Sequence, residues 1–163
     1  MFEIKVDDKD VLSTLDRLAS ISYTRFLGAA SQYGKKAIQD RFADSVSPDG
    51  VPWDDNRGEY SDWKARAGYG GKPLILTGEL REAITTFGGL PDIATIFIKD
   101  KTHSRVPDFP WGSTVKSLYT IGRLHEFGSD RKKIPARPFM ALSDEDVEYI
   151  EGMLNTIFDE ALI

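Results

Sequence analysis

The sequence predicts an α+β protein with a small, mostly antiparallel sheet packed against a long N-terminal helical segment and a C-terminal helix. Apolar residues recur every three or four positions between Leu12 and Phe42 and again between Val147 and Phe158, which is the period of a helix. Residues 93–98 are β-branched, aromatic or small, a composition typical of a strand. Because strands and helices do not alternate regularly, a doubly wound parallel sheet is not expected.

Length and composition indicate a globular protein. The chain has 163 residues, and we expect one domain over residues 1–163. Hydrophobic residues make up 40% and charged residues 29%, a balance that supports a packed core. The N-terminus has no signal-peptide pattern, and no apolar run approaches the about 20 residues of a membrane span, so no membrane contact is expected. Without cysteine, the chain cannot form disulfides, thiolate metal sites or a cysteine nucleophile.

The first third of the chain predicts a strand, two helices and an ordered loop. Alternating apolar residues predict a short strand over residues 2–6. Residues 11–43 have a helical period, and poor helix formers at 20–24 predict a break between two helices. The Pro-Asp-Gly turn at residues 48–50 predicts a loop, ordered if Trp53 packs down.

The middle of the chain predicts short elements. One or two helical turns are expected at residues 59–66. Thr77 is expected to cap a short helix that includes Leu80, Ala83 and Ile84 and that a glycine pair at 88–89 ends. After the strand at 93–98, a flexible loop insertion is expected near residues 100–114.

The last third predicts a strand and two helices. Residues 116–121 have the composition to begin a strand, and residues 122–127 predict a short helix closed by Gly128. Ser143 and Asp146 have the spacing of a capping box, which predicts the start of the C-terminal helix.

Charge is divided unevenly near the C-terminus. Arg131, Lys132, Lys133 and Arg137 form a basic loop, and residues 138–163 contain seven acids and no Lys or Arg. Such segments can attract their counterparts on a neighbouring copy. The alternative is two solvated segments. The net charge of −5 excludes the overall basic character of a typical duplex-DNA-binding protein, while local basic patches remain compatible with it.

No spacing specifies a catalytic, cofactor or metal site, and we expect none of the three. His125 and Glu126 are adjacent, so on a helix their side chains point about 100° apart and cannot share a metal unaided. A hydrolase that uses His125 with an acidic partner is the enzymatic alternative. A second alternative is a single-strand nucleic-acid module built on the aromatic and basic residues of 53–72.

Four short motifs follow one another along the chain. They are Arg41-Phe42 with Ser47-Pro48-Asp49-Gly50 and Trp53; Leu76-Thr77-Gly78-Glu79-Leu80-Arg81; Leu124-His125-Glu126-Phe127-Gly128; and Ile134-Pro135-Ala136-Arg137-Pro138-Phe139 followed by Ser143-Asp144-Glu145-Asp146. In order and spacing they resemble the virion morphogenesis family of tailed bacteriophages, whose members are called tail completion or head-tail joining proteins. The chain departs from the family pattern at 121–123 and in the long loop at 101–113.

The resemblance implies a non-enzymatic structural protein of the virion neck or tail end, made in the host cytoplasm. It implies a homo-oligomeric ring, usually a hexamer, that joins tail to head. The implied partners are other copies of the chain, tail tube or head-tail connector proteins, and DNA touched non-specifically in the lumen. The alternative within this class is a transient assembly factor that is absent from the finished particle, and the sequence does not separate the two.

Two sets of residues are expected to matter. The subunit or partner interface is expected at Arg131, Lys132, Lys133, Arg137, Phe139, Asp144, Glu145 and Asp146. Arg137 is the main candidate for a bidentate salt bridge to a partner carboxylate, with pairing to its own C-terminal helix as the alternative. The residues expected to shape turns and corners are Pro48, Asp49, Gly50, Trp53, Thr77, Gly78, Leu80, His125, Phe127, Gly128, Pro135 and Pro138. The loop at 48–53 is either pinned by Trp53 or inserted into the next subunit.

Overall fold

The α+β class is confirmed by a computed structural model that describes residues 9–19, 21, 23–90, 93–104 and 116–162. Within these ranges the chain forms six α-helices and one two-stranded sheet. In chain order the elements are α1 (Lys9–Ala19), α2 (Tyr23–Asp44), α3 (Gly58–Arg66), α4 (Glu79–Glu82), β1 (Ile84–Leu90), β2 (Ile93–Ile98), α5 (Leu118–Phe127), a 3-10 turn (Asp130–Lys132) and α6 (Asp144–Leu162).

The sheet is an antiparallel hairpin that packs on α2. Ile84 of β1 pairs with Ile98 of β2, and Thr86 pairs with Ile96. Because side chains alternate between the two faces of a strand, Ile96 and Ile98 lie on the half-buried side of β2. A second layer forms where α6 packs on α1 and α2.

The core lies where α2 meets the hairpin, α5 and two loops. Phe42 is fully buried and packs edge-on against Trp53, with ring centroids 5.6 Å apart, and against Phe139, at 5.1 Å. Ile84 and Leu118 are also fully buried. Two loops, one before α3 and one before α6, therefore contribute aromatic rings to the same core as the helices.

Several sequence predictions are confirmed. The helical segment breaks between Ala19 and Tyr23, and the strand predicted at 93–98 is β2. Ser143 and Asp146 form the predicted capping box, since the Ser143 N–H donates to Asp146 Oδ2 (2.9 Å) and the Asp146 N–H donates to Ser143 Oγ (3.1 Å). The loop at 48–53 is ordered, and Trp53 is buried.

The prediction for residues 77–89 is wrong in two respects. The helix begins at Glu79 after Gly78, which is left-handed (φ 83°), and no side chain caps it, so Thr77 is not its cap. Ile84 begins β1, whose pairing with β2 continues past the glycine pair that was expected to end a helix. The first four residues of β1 are β-branched or aromatic, which favours a strand, and β2 supplies the hydrogen bonds that form it.

The strand expected to begin at residue 116 is also wrong. Ser117 instead caps α5, because its Oγ accepts a hydrogen bond from the Thr120 N–H (3.1 Å). The helix predicted at 122–127 is thus longer than expected, and Gly128 closes it with φ 70°. The strand predicted at 2–6 and most of the loop expected near 100–114 lie outside the described residues.

Candidate interaction surface

Arg131, Lys132 and Lys133, which we call the basic turn, are exposed. The 3-10 turn is closed by a hydrogen bond from the Lys133 N–H to the Asp130 carbonyl (3.0 Å), and Ser129 bridges to Ile134 behind it. Contact with Lys116 and the charge of Arg131 lower the pKa of Lys132. None of the three side chains pairs with an acid elsewhere in the described ranges, so the turn presents concentrated positive charge.

An acidic groove of about 680 Å³ lies between α2, the Pro-Asp-Gly loop and the start of α6. Its lining includes Pro48, Asp49 and Gly50 of the loop, together with Asp144 and Glu145. Of its carboxylates, only Asp40 and Asp146 form ion pairs with described residues. The groove is therefore a negative surface that the described part of the chain does not neutralise.

Asp146 was predicted at the interface, but it lies inside the fold. Arg41 Nη2 donates to Asp146 Oδ2, and both side chains are buried. Arg41 Nη1 also donates to the Ala141 carbonyl. This buried pair fixes the start of α6 against α2, so we assign Asp146 to the interior.

The carboxyl of Asp146 is held ionised by its surroundings. Burial raises its pKa, but hydrogen bonds from Ser143 and the charge of Arg41 outweigh burial, and the pKa is lowered. Tyr33 Oη donates to Asp146 Oδ1 (3.2 Å), and burial and the Asp146 charge raise the pKa of Tyr33. The Tyr33 ring stacks on Tyr149 at 4.4 Å. The stacked rings thus add a second contact between α2 and α6 beside the Arg41–Asp146 pair.

Arg137, expected to reach a partner carboxylate or DNA, is only 4% exposed. Its Nε donates to the Asp54 carbonyl (2.9 Å) and its Nη2 donates to the Asp55 carbonyl (3.1 Å). The alternative of a bond to its own C-terminal helix is also wrong, because Arg41 takes that role. Arg137 therefore ties its loop to the segment before α3, in the interior of the chain.

His125 lies beside Arg137 and does not form an acid–base pair. Its Nδ1 is 3.4 Å from Arg137 Nη1, and its carbonyl accepts from the Arg137 N–H (2.6 Å). Burial first, and then the Arg137 charge, lower the pKa of His125 to about 4, so the ring is neutral at pH 7. Its neighbour Glu126 accepts from the N–H groups of Phe139 and Met140. The geometry therefore gives both residues structural partners.

Lys64 is a buried cation that the sequence did not single out. It is 1% exposed, and its Nζ donates to the Lys72 carbonyl. Burial, and then the charge of Arg137, lower the pKa of Lys64 to about 8. Lys72 Nζ in turn donates to the Ala43 carbonyl at the end of α2. Two of the cations required by the nucleic-acid alternative are thus bound within the fold.

A second polar cluster forms around Glu79. Its carboxylate accepts from the N–H of Ser104 (3.0 Å), from Ser104 Oγ and from Thr77 Oγ1 (3.1 Å). His103 Nε2 is 3.5 Å from the same carboxylate. Hydrogen bonds from Ser104 lower the pKa of Glu79. Because Ser104 donates to the carboxylate through both its N–H and its Oγ, this cluster tethers residues 102–104 to α4.

The remaining motif residues divide between core and surface. Leu80 is buried, Trp53 Nε1 donates to the Pro138 carbonyl (3.0 Å), and Pro135 lies half-buried in the same loop. Phe139, expected at the interface, is fully buried. Phe127, expected in a buried corner, is instead 73% exposed. The predicted locations of these two phenylalanines are therefore reversed: Phe139 lies in the interior and Phe127 lies at the surface.

Once the buried residues are set aside, the surface available for contact with other molecules consists of the basic turn, the acidic groove and exposed apolar side chains. Within the described ranges, no group of three or more His, Asp or Glu residues could hold a metal ion, and no helix is long and apolar enough to span a bilayer. Such a surface is typical of a protein that functions by contacting other molecules.

Comparison with protein families agrees with this class. The model of the phage virion morphogenesis family matches residues 6–159, nearly the whole chain, and the protein belongs to this family. Neither the curated proteins nor the solved structures gave a match. The protein therefore has a phage structural or assembly role.

Proposed function

We propose that the chain is a non-enzymatic structural subunit of the phage neck or tail end. Copies of it form a closed ring, with a hexamer as the expected size, and the ring joins the tail tube to the connector of the head. Membership of the virion morphogenesis family supports this assignment. The observation that carries the ring is the presence of two oppositely charged surfaces, the basic turn and the acidic groove, that do not neutralise each other within the chain.

A ring needs this kind of asymmetry. Each subunit must offer one patch to the copy before it and a different patch to the copy after it. The basic turn supplies positive charge, and Asp144 and Glu145 beside the groove supply negative charge. Charge complementarity of this type orients subunits and speeds their encounter, and it weakens as salt rises.

The ring is tested first by the mass of the purified chain in solution. Light scattering over a range of protein and salt concentrations, paired with electron microscopy of the same samples, should show a closed ring or a monomer that becomes a ring on added tail tubes. A chain that remains monomeric with tail tubes present contradicts the proposal.

The location is tested on the particle. Mass spectrometry of purified virions should detect the chain, and microscopy with a labelled chain should place it at the neck or tail end. A chain that is needed for assembly but is missing from purified virions would be a transient assembly factor instead.

A further inference from the structure

One face of α5 exposes aromatic and basic side chains to solvent. Tyr119, Arg123 and Phe127 are spaced four residues apart, so they lie along one side of the helix. Tyr119 is 49% exposed, Phe127 is 73% exposed, and Arg123 is exposed between them. The opposite side of the helix holds Leu118, which is fully buried. The exposed side chains are therefore held on a helix that the core fixes in place.

This face continues into the basic turn. Gly128 follows Phe127, and its backbone packs so closely on the loop that a Cβ would lie 2.8 Å from the Ala136 nitrogen. Lys116, just before α5, lies close enough to Lys132 to lower its pKa. Of the two acids between 116 and 133, Glu126 is bound to backbone N–H groups of the core, and Asp130 is exposed at the start of the basic turn among five basic residues. The α5 face, defined as Tyr119, Arg123, Phe127 and the basic turn, is thus aromatic and strongly positive.

The first half of α6 presents the opposite composition. Its exposed acids are Asp144, Glu145, Glu148 and Glu151. Val147 is exposed at one edge of this acidic surface. Tyr149, two residues further on, is exposed at the opposite edge, where its ring stacks on Tyr33. An acidic surface bordered by apolar side chains matches a basic surface interrupted by aromatic ones, in charge and in apolar character.

We propose that the α5 face docks on the exposed first half of α6 of a second copy of this chain. The inference rests on the proposed ring and adds the side chains that would anchor it, with Phe127 and Tyr119 at the centre and charged residues around them. A DNA backbone would satisfy the cations, but it offers no apolar surface to Phe127. Val147 of a second copy, at the edge of its acidic surface, offers that surface.

Cysteine cross-linking tests the contact directly, because the chain contains no cysteine of its own. T120C and E148C chains are purified, mixed and mildly oxidised, because Thr120 is exposed on α5 next to Tyr119 and its replacement leaves Phe127 in place. We expect a cross-linked dimer in the mixture and little in either variant alone, because the contact joins different residues of the two chains. A mixture of F87C and E148C serves as the control, since Phe87 is an exposed aromatic residue on the hairpin. Equal cross-linking in both mixtures, or none in the first, overturns the inference.

Substitution measures how much the anchor contributes. We expect F127A to weaken self-association roughly tenfold or more, as for a central aromatic contact, and F87A to change it less than about twofold. R123E should weaken assembly, and E148R in the same chain should restore part of it. Thermal unfolding of each variant shows whether its fold is intact. F127A that associates like the unchanged chain overturns the inference.

The outcomes separate this inference from the proposed function. A ring that forms in microscopy without the T120C–E148C cross-link keeps the ring and rejects this interface. Loss of both ring and cross-link rejects both. If R123E and F127A leave self-association unchanged but reduce binding to a DNA oligonucleotide, the partner of the α5 face is nucleic acid and the inference is wrong.

Discussion

Gly128 occupies a corner that has no room for a side chain. Its φ of 70° and ψ of −176° lie in a region that is essentially restricted to glycine. A Cβ would also lie 2.8 Å from the Ala136 nitrogen and 3.0 Å from the Ile134 oxygen, and both are backbone atoms. We expect Gly128→Ala to lower the free energy of unfolding by about 3 kcal/mol or more, because strain and overpacking add. Urea denaturation measures the change.

Gly70→Ala is the matched control for this substitution. Gly70 also has a positive φ (69°), but nothing lies within 4 Å of its Cβ position. Gly70→Ala should therefore lower the free energy of unfolding only by the penalty for a left-handed backbone, about 1 kcal/mol. Equal losses for the two variants would show that the close approach of the 134–136 backbone contributes nothing.

His125 makes stability depend on pH in a defined window. Its pKa in the fold is about 4, below the ordinary 6.5, so the unfolded chain takes up a proton at a higher pH than the folded chain does. The free energy of unfolding is therefore unaffected by this residue above pH 6.5. It falls by up to about 3 kcal/mol as the pH falls towards 4. Denaturation at pH 7, 6 and 5 measures the slope, and His125→Asn should flatten it. A slope that His125→Asn leaves unchanged would assign it to another group.

Residue roles were predictable where they depended on local spacing. The capping box of Ser143 and Asp146 was found because its partners are three residues apart. The burial of Lys64 and Arg137 was missed because their partners are carbonyls of segments that only the fold brings near. Phe127 and Phe139 were exchanged because a motif gives residue order but not the direction in which a side chain points.

At the scale of elements, the start of α6 depends on α2. The Arg41–Asp146 pair is buried, so removing one charge leaves the other without compensation. We expect Asp146→Asn to lower the free energy of unfolding by about 3 kcal/mol or more, measured by thermal denaturation. Asp40→Asn, which breaks the exposed pair of Asp40 with Lys36 on the same helix, should cost less than about 1 kcal/mol. Similar losses in the two variants would contradict the role of the buried pair.

Long periodic elements were predicted better than short ones. The helical periods identified α2 and α6 because each has one apolar side, partly buried in α2 and half-buried in α6. β1 was missed because Ile84 was assigned to the apolar side of the preceding helix and the glycine pair was interpreted as its end, although residues 84–87 are β-branched or aromatic and pair with β2. The N-terminus of α5 was misplaced because residues 116–121 have the composition of a strand. In the structure Ser117 caps a helix whose first residue, Leu118, is fully buried.

At the scale of the whole molecule, assembly should depend on salt and on the sign of a few charges. We expect Lys132→Glu to weaken self-association several-fold at low salt and less at high salt, because exposed charges are screened. Glu145→Lys in the same chain should restore part of the loss. Light scattering measures both effects. Lys99→Glu, at an exposed lysine after β2, is the control of equal charge change, and an equal loss there would indicate a net-charge effect only.

The fold class and the family motifs could be predicted from the sequence, but the partition between interior and surface could not. Four of the eight predicted interface residues are the basic residues of the 131–137 loop. One of them, Arg137, is buried because it donates to the carbonyls of Asp54 and Asp55. The single domain over 1–163 stays a prediction.

Carbonyl groups of the segment from Asp54 to Lys72 accept hydrogen bonds from two buried cations, as water would do for exposed ones. Its carbonyls receive Arg137 and Lys64, and Lys72 is itself attached to the end of α2. Separating this segment from the core would break the Arg137 bonds to Asp54 and Asp55 together with the Lys72 bond to Ala43, so it should open as a single unit. In native-state hydrogen exchange, the amides of α3 and the amide of Arg137 should therefore exchange with the same opening free energy, higher than a surface helix of nine residues would have alone.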